Sequence, residues 1–158
     1  MKALTVSQPW AYLISTGQKR IENRSWATKF RGLLAIHAGL SFYDEDFDYV
    51  EKDLGLKLPS NLPGGAVVGI VRLADVVQSS ADPLFVGPFG WVLADARLLP
   101  EPIGCRGALG LWQPKDTGVV EDLEAAAKWY ASQAGTHSEA MLDRSHPSQR
   151  RAKPRSRT

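Results

Sequence analysis

The chain has 158 residues, of which 44% are hydrophobic and 23% charged, and this composition excludes a wholly disordered protein. The single cysteine, Cys105, excludes an intramolecular disulfide and a cysteine-based zinc site. The sequence shows neither a signal peptide nor an apolar run near the roughly 20 residues of a membrane helix. We therefore expect one soluble, cytoplasmic domain with no membrane contact, followed by a tail.

The formal net charge of +2 is unevenly distributed along the chain. Residues 144–158 hold six basic residues and no acidic one, which leaves residues 1–143 with a net charge of −4. Residues 1–40 carry six basic residues against Glu22 alone, whereas residues 44–53 carry six acidic residues against Lys52 alone. This asymmetry is typical of a basic surface that meets an anionic partner, although two solvated faces of opposite sign would give the same pattern.

The first half of the chain predicts short strands and two helices. Pro9 suits the first turn of a helix, with Ser7 or Gln8 before it as the cap and Gly17 after it as the end. In chain order, the pattern predicts a strand at Ala3–Val6, a helix from Pro9, an extended segment at Lys19–Trp26, a buried strand at Gly32–Ala38 and an acidic helix at Tyr43–Leu54.

The second half predicts three more strands and a helix. Pro100, Pro102 and Gly104 are expected to separate the last two strands. The predicted elements are a loop at Leu56–Gly65, a strand at Ala66–Val77 with or without a bulge, a loop at Ser79–Pro88, strands at Gly90–Leu98 and Ala108–Trp112, and a helix at Glu121–Ser132. Strands without regularly alternating long helices favour an α+β, mainly β fold, a small mixed β-barrel with short peripheral helices.

The segment from Ser7 to Ala38 is the richest in chemistry. Basic side chains interleaved with tryptophans suit single-stranded nucleic acid, because cations meet phosphates and indoles stack on bases for about 1–3 kcal/mol each. The candidate binding residues are Trp10, Lys19, Glu22, Arg24, Trp26, Arg31 and His37. Lys19 and Glu22 are also candidate catalytic residues, as base or nucleophile and as proton carrier.

Each of these residues also has a structural interpretation. Glu22 would be the ion partner of Lys19 or Arg24, with Trp10 and Trp26 in the core. His37 ends an apolar strand and would be a general base, a ligand or a hydrogen-bonded core residue. The three histidines are His37, His137 and His146, and the last two fall in the weakly structured tail, which argues against a histidine-rich metal site. No glycine-rich phosphate loop occurs either, so we expect no metal and no cofactor.

Several of these motifs together resemble an ASCH domain, a small β-barrel domain related to the PUA fold. They are Pro9-Trp10, the G-x-K-x-x-E-x-R core from Gly17 to Arg24 with Trp26 after it, Arg31-Gly32, and Ile36-His37-Ala38. The resemblance covers roughly residues 2–114. We therefore expect a barrel domain at 1–114, a helical extension at 115–143 and a disordered basic tail at 144–158.

The resemblance implies RNA or nucleotide binding in a cleft beside the barrel. Carried over by position, Lys19, Glu22 and Arg24 would point into that cleft, with Trp10 and Trp26 near its wall. Some small members are amidohydrolases of N4-acylated cytidine, with a lysine at the position of Lys19 and a threonine where this chain has Glu22. Other members have been linked to ribonuclease activity.

Three hypotheses follow. The first is a binding module that takes RNA or a nucleobase-containing ligand in a cationic cleft. The second is a hydrolase of modified nucleosides or RNA, in which Lys19 and Glu22 do the chemistry. The third is a protein-interaction adaptor that uses the acidic helix at 43–54.

Overall fold

A computed structural model describes residues 1–144, with the side chains of residues 1–133. The chain forms six strands: β1 Lys2–Gln8, β2 Ile21–Arg24, β3 Gly32–Phe42, β4 Ala66–Val77, β5 Phe89–Gly104 and β6 Leu111–Trp112. The helices are α1 Trp10–Ser15, α2 Asp44–Asp48, which continues as a π-helical turn at Tyr49–Asp53, and α3 Thr117–Arg144. The predicted disorder of the tail falls, from residue 145 on, outside the described residues.

The strands form one sheet in the order β2-β5-β4-β3-β1-β6. β1 and β3 are parallel, whereas the other neighbouring strands are antiparallel. The sheet curls into a half-barrel, with β2 and β6 as its two edges. The prediction of a mixed, strand-dominated barrel with peripheral helices is thereby confirmed.

Each face of the sheet carries its own hydrophobic cluster, because neighbouring side chains along a strand point to opposite faces. The first cluster contains Leu4, Ile36 and Val68, and α1 packs on it through Ala11 and Ile14. The second contains the alternating residues, among them Ala3, Ala35 and Val67, with Leu123 of α3. The sheet is therefore covered by α1 on one face and by the first turns of α3 on the other.

The prolines do not end the fifth strand as predicted, since β5 runs through both of them to Gly104. Leu98 pairs with Gly69 and Ile103 pairs with Val67, so that residues 99–102 lie opposite Val68 alone. A bulge of this size leaves its residues out of the hydrogen-bond ladder, and proline, which lacks an N–H, is tolerated there. The strand expected at Ala108–Trp112 is reduced to β6.

The helices form where predicted but with different ends. Pro9 is the N-cap residue of α1, and Gln8 before it accepts the Tyr12 N–H on its Oε1 at 3.0 Å. Gly17 follows the helix with φ +78°. α3 begins four residues before the predicted Glu121, because the Asp116 carboxylate accepts the Val119 N–H at 3.1 Å. None of the helices described up to residue 144 has the length and apolarity needed to cross a membrane.

The contact between α1 and β4 is unusually close. A Cβ atom at Gly69 would lie 2.1 Å from Ser15 Oγ and 2.4 Å from Ser15 Cβ. Ser15 is fully buried, and its hydroxyl has no hydrogen-bond partner among the described residues. The first helix thus reaches the sheet only because position 69 has no side chain.

Candidate functional site

Three charged side chains of the predicted cluster form one buried ion network. Glu22 Oε1 lies 3.1 Å from Lys19 Nζ, and Glu22 Oε2 lies 3.1 Å from Arg24 Nη2. Lys19 is 5% exposed and Glu22 is 8% exposed. Because β2 is a strand, Glu22 and Arg24 lie two residues apart on the same face, as the sequence predicts.

Backbone carbonyls fix the two cations of this network. Lys19 Nζ also donates to the Ile21 carbonyl, and Arg24 Nη2 donates to the Thr5 carbonyl of β1 at 2.9 Å. The Arg24 bond joins the β2 edge to β1, the strand next to the opposite edge. Every hydrogen bond that Arg24 makes to the described residues runs through Nη2, whereas its Nε is buried and has no partner among those residues.

The Glu22–Arg24 pair opens onto a cavity of about 480 Å³, which we call the Glu22 cavity. Lys19 lies behind Glu22 and does not line it. The cavity is lined by Thr5, Val6 and Ser7 of β1, Trp10, Glu22, Arg24, Gly39, Leu40 and Ser41 of β3, and Tyr43. Its polar groups therefore come from one carboxylate, one guanidinium, serines and a phenol.

Two aromatic rings stand in the wall of the Glu22 cavity. The Trp10 ring lies 5.6 Å from Lys19 Nζ, a cation–π distance, and its centroid is 6.1 Å from the ring of Tyr49. Tyr43 lines the cavity from the end of β3 and is half exposed. The site thus combines a buried charge network with aromatic surfaces, an arrangement that suits a flat ligand with polar edges.

Trp26 and Arg31 do not line the Glu22 cavity. The Trp26 ring packs edge-on against Trp91 with centroids 4.8 Å apart, and the Trp91 indole N–H donates to the Trp26 carbonyl. β2 ends at Arg24, so the alternation that puts Glu22 and Arg24 together does not extend to Trp26. Arg31 is exposed and lies 3.6 Å from Asp75.

His37 lies in the core, with a hydrogen-bond partner at each ring nitrogen. Its Nε2–H donates to the Cys105 carbonyl at 2.8 Å, its Nδ1 lies 3.2 Å from Thr5 Oγ1, and it is 2% exposed. Its ring meets Trp112 edge-on at 5.4 Å. As the neighbour of Ile36 on β3, it lies on the second face of the sheet and not in the Glu22 cavity.

The acidic segment stands beside the Glu22 cavity. We call residues 44–53, that is α2 and its π-helical turn, the acidic arm. Val50 is its buried anchor, and five of its six carboxylate side chains are exposed. Tyr43 precedes the arm and lines the cavity, while Tyr49 within it contacts Trp10. The arm thus brings negative charge to one side of the cavity mouth.

Ser7, Ser41 and Tyr43 are lining residues that the sequence pattern did not single out. They meet because β1 and β3 are parallel, with Val6 opposite Ala38 and Gln8 opposite Phe42. The end of β3 is therefore carried alongside the end of β1. Residues 39–42 lack the apolar pattern of a buried strand, so only the parallel pairing reveals them.

Neither a reactive thiol nor a metal centre is found in the part of the chain with described side chains. Burial is the main reason that the pKa of the Cys105 thiol is raised. A hydrogen bond with the Val67 backbone lowers this pKa, and the nearby Asp116 carboxylate raises it. No group of three or more His, Cys, Asp or Glu side chains within that part could hold a metal ion.

Comparisons with known proteins agree with the resemblance seen in the sequence. Activating signal cointegrator 1 is 35% identical over 82 residues in Mus musculus and 37% identical over 84 residues in Homo sapiens. Each alignment covers 48% of this chain but only 14% of the relative's length.

The structural neighbours are ASCH proteins of bacterial origin. The ASCH protein of Zymomonas mobilis superposes with a TM-score of 0.51 over 78% of this chain and 93% of its own, at 13% identity. A mutant of that protein gives the same TM-score at 14% identity. Identities this low show the fold alone. The sequence model of the ASCH domain family matches residues 4–86. This range runs from β1 through β4 and includes the whole Lys19–Glu22–Arg24 network. The chain therefore belongs to the ASCH domain family.

Proposed function

We propose that the chain binds a nucleobase-containing ligand, an RNA or a nucleotide, in the Glu22 cavity. The observation that carries this proposal is that one cavity joins a carboxylate, a guanidinium and two aromatic rings. A nucleobase offers the matching surfaces, two flat faces and an edge of hydrogen-bond donors and acceptors. Membership of the ASCH family supports the proposal, since the resemblance implies RNA or nucleotide binding.

Each lining group has a role in this proposal. Glu22 accepts a hydrogen bond from a base amino group, and Arg24 donates through Nη1 to a base carbonyl or a phosphate oxygen. Trp10 and Tyr43 supply the stacking surface. A volume of about 480 Å³ lies within the range of small-molecule sites.

We propose binding and not hydrolysis at this site. A catalytic Lys19 would have to present its amine to the ligand, yet its Nζ donates to Glu22 and to the Ile21 carbonyl and lies behind the lining of the cavity. The buried lysine instead holds Glu22 in place.

Arg24→Ala is expected to raise the Kd for short single-stranded RNAs and for mononucleotides by about tenfold, because a charge-assisted hydrogen bond is lost. Titration followed by fluorescence anisotropy measures the change. Arg31→Ala is the matched control, since Arg31 is an arginine of the same motif region that lies outside the cavity. The proposal would be contradicted if the two substitutions had equal effects, or if the parent chain itself did not bind RNA.

Neutralising the acidic arm is expected to strengthen RNA binding. The double variant Asp44→Asn with Glu45→Gln removes two exposed negative charges next to Tyr43, and the Kd for RNA should fall by about threefold at low salt. The Kd for an uncharged nucleoside should not change. The same neutralisation at Glu121 and Glu124 of α3, on the other face of the sheet, is the control. An unchanged Kd for RNA would contradict this expectation, because it would show that the phosphates of the bound RNA do not lie near the acidic arm.

A further inference from the structure

A second cavity of about 500 Å³ lies on the face of the sheet that α3 covers. We call it the β6 cavity, and its lining includes Cys105, Arg106, Trp112, Pro114, Lys115 and Val119. Trp112, Cys105 and Val119 pack against the second hydrophobic cluster, whereas Trp10 of the Glu22 cavity packs against the first. The two cavities are thus separate sites on opposite faces.

The wall of the β6 cavity is held in place by hydrogen bonds. The Trp112 indole N–H donates to Thr5 Oγ1 at 3.0 Å, and His37 joins Thr5 to the Cys105 carbonyl. Gly107 closes over this group, since a Cβ there would lie 2.7 Å from His37 Cε1. The buried histidine that serves no ligand in the Glu22 cavity therefore builds the wall of this one.

The rim of the β6 cavity is cationic. Arg106 and Lys115 are both exposed, and neither forms a salt bridge within the described residues. Asp116 also lines the cavity, with its carboxylate accepting the Val119 N–H at the start of α3, so the lining carries two cationic side chains and one acidic one. An apolar floor under a rim in which cations outnumber the one acidic side chain fits a ligand with an apolar body and carboxylate groups beside it.

A free strand edge adjoins this cavity. β6, the two residues Leu111–Trp112, is the last strand of the sheet and pairs only with β1 among residues 1–144, so its outer backbone groups face away from the sheet. Leu109, at the tip of the loop that leads into β6, is 97% exposed. An exposed strand edge is a template for an added strand, and an exposed leucine beside it enlarges the apolar contact.

We propose that β6 and its cavity bind an extended peptide in which an apolar side chain is flanked by Asp or Glu. The peptide backbone pairs with the outer edge of β6, its apolar side chain enters the cavity against Trp112, and its carboxylates meet Arg106 and Lys115. The site is a protein-interaction surface that lies apart from the nucleobase site. The acidic arm plays no part in it.

The test is a selection of random decapeptides displayed on phage against the full chain, followed by titration of the enriched peptides. We expect the enriched sequences to place acidic residues beside an apolar one. The double variant Arg106→Glu with Lys115→Glu should raise their Kd by about tenfold, as expected for two exposed ion pairs turned into repulsions. Arg31→Ala, at an exposed arginine that lines neither cavity, should leave their Kd unchanged.

Three results would overturn the proposal: no enrichment, enrichment of peptides without acidic residues, or equal binding to the charge-reversed variant. Both substituted side chains are exposed, and an unchanged circular dichroism spectrum and unfolding midpoint would establish that the variant folds. Amide shifts in a titration with an enriched peptide should concentrate on residues 105–119, and shifts around Glu22 instead would count against this site. The peptide selection and the RNA titration are separate experiments, so a negative result in one does not decide the other.

Discussion

Replacing Glu22 by glutamine is expected to lower the free energy of unfolding by about 3–5 kcal/mol, because it leaves buried cations without their counter-charge. Lys19 is 5% exposed and its Nζ lies 3.1 Å from the Glu22 carboxylate, so its ammonium group loses its counter-charge in a position with little access to solvent. Arg24 loses the same carboxylate, which it contacts through Glu22 Oε2. Urea denaturation followed by tryptophan fluorescence measures the change.

Two variants make this expectation specific to the buried network. Glu45→Gln neutralises an exposed carboxylate of the acidic arm and should change stability by less than about 0.5 kcal/mol. Adding Lys19→Met to Glu22→Gln removes a stranded cation and should recover part of the loss. A loss below about 1 kcal/mol for Glu22→Gln would mean that the cations find other partners and that the carboxylate does not hold the site together.

Gly69→Ala is expected to destabilise the protein by about 3 kcal/mol, because the new methyl group would overlap Ser15 across the contact between α1 and β4. Neither the helix nor the central strand can retreat without opening the first hydrophobic cluster. The unfolding midpoint should fall accordingly, and Trp10, which lies in α1, should become more accessible to a fluorescence quencher.

The same contact supplies its own controls. Gly104→Ala places a methyl group in β5 where no atom lies within 4 Å, so it should be nearly neutral. Combining Gly69→Ala with Ser15→Gly removes the overlapping side chain and should restore most of the stability. If Gly69→Ala alone proves neutral, α1 does not approach the sheet as closely as described.

The sequence predicts the fold class and the centre of the site because both follow from local rules. Alternation along β2 puts Glu22 and Arg24 on one face, and spacing within the motif brings Lys19 to the same carboxylate. The long β4 strand is predicted to the residue from its Val and Ile content.

The remainder depends on contacts between distant segments, which no local pattern encodes. Trp26 shares the parity of Glu22 and Arg24 but packs, partly buried, against the core, because the strand has ended and Trp91 lies beside it. Tyr43 joins the cavity only through the parallel pairing of β1 with β3. Pro100 and Pro102 predict the end of a strand, but both lie in a bulge of β5, where four residues face Val68 alone.

One residue of β1 touches both faces of the molecule. The Thr5 carbonyl accepts from Arg24 in the Glu22 cavity, while the Thr5 hydroxyl accepts from the Trp112 indole in the wall of the β6 cavity. A shift of this strand by a fraction of an ångström changes both bonds at once. Any occupant that moves Thr5 from one side therefore alters affinity on the other, and linkage requires the same factor in the reverse direction.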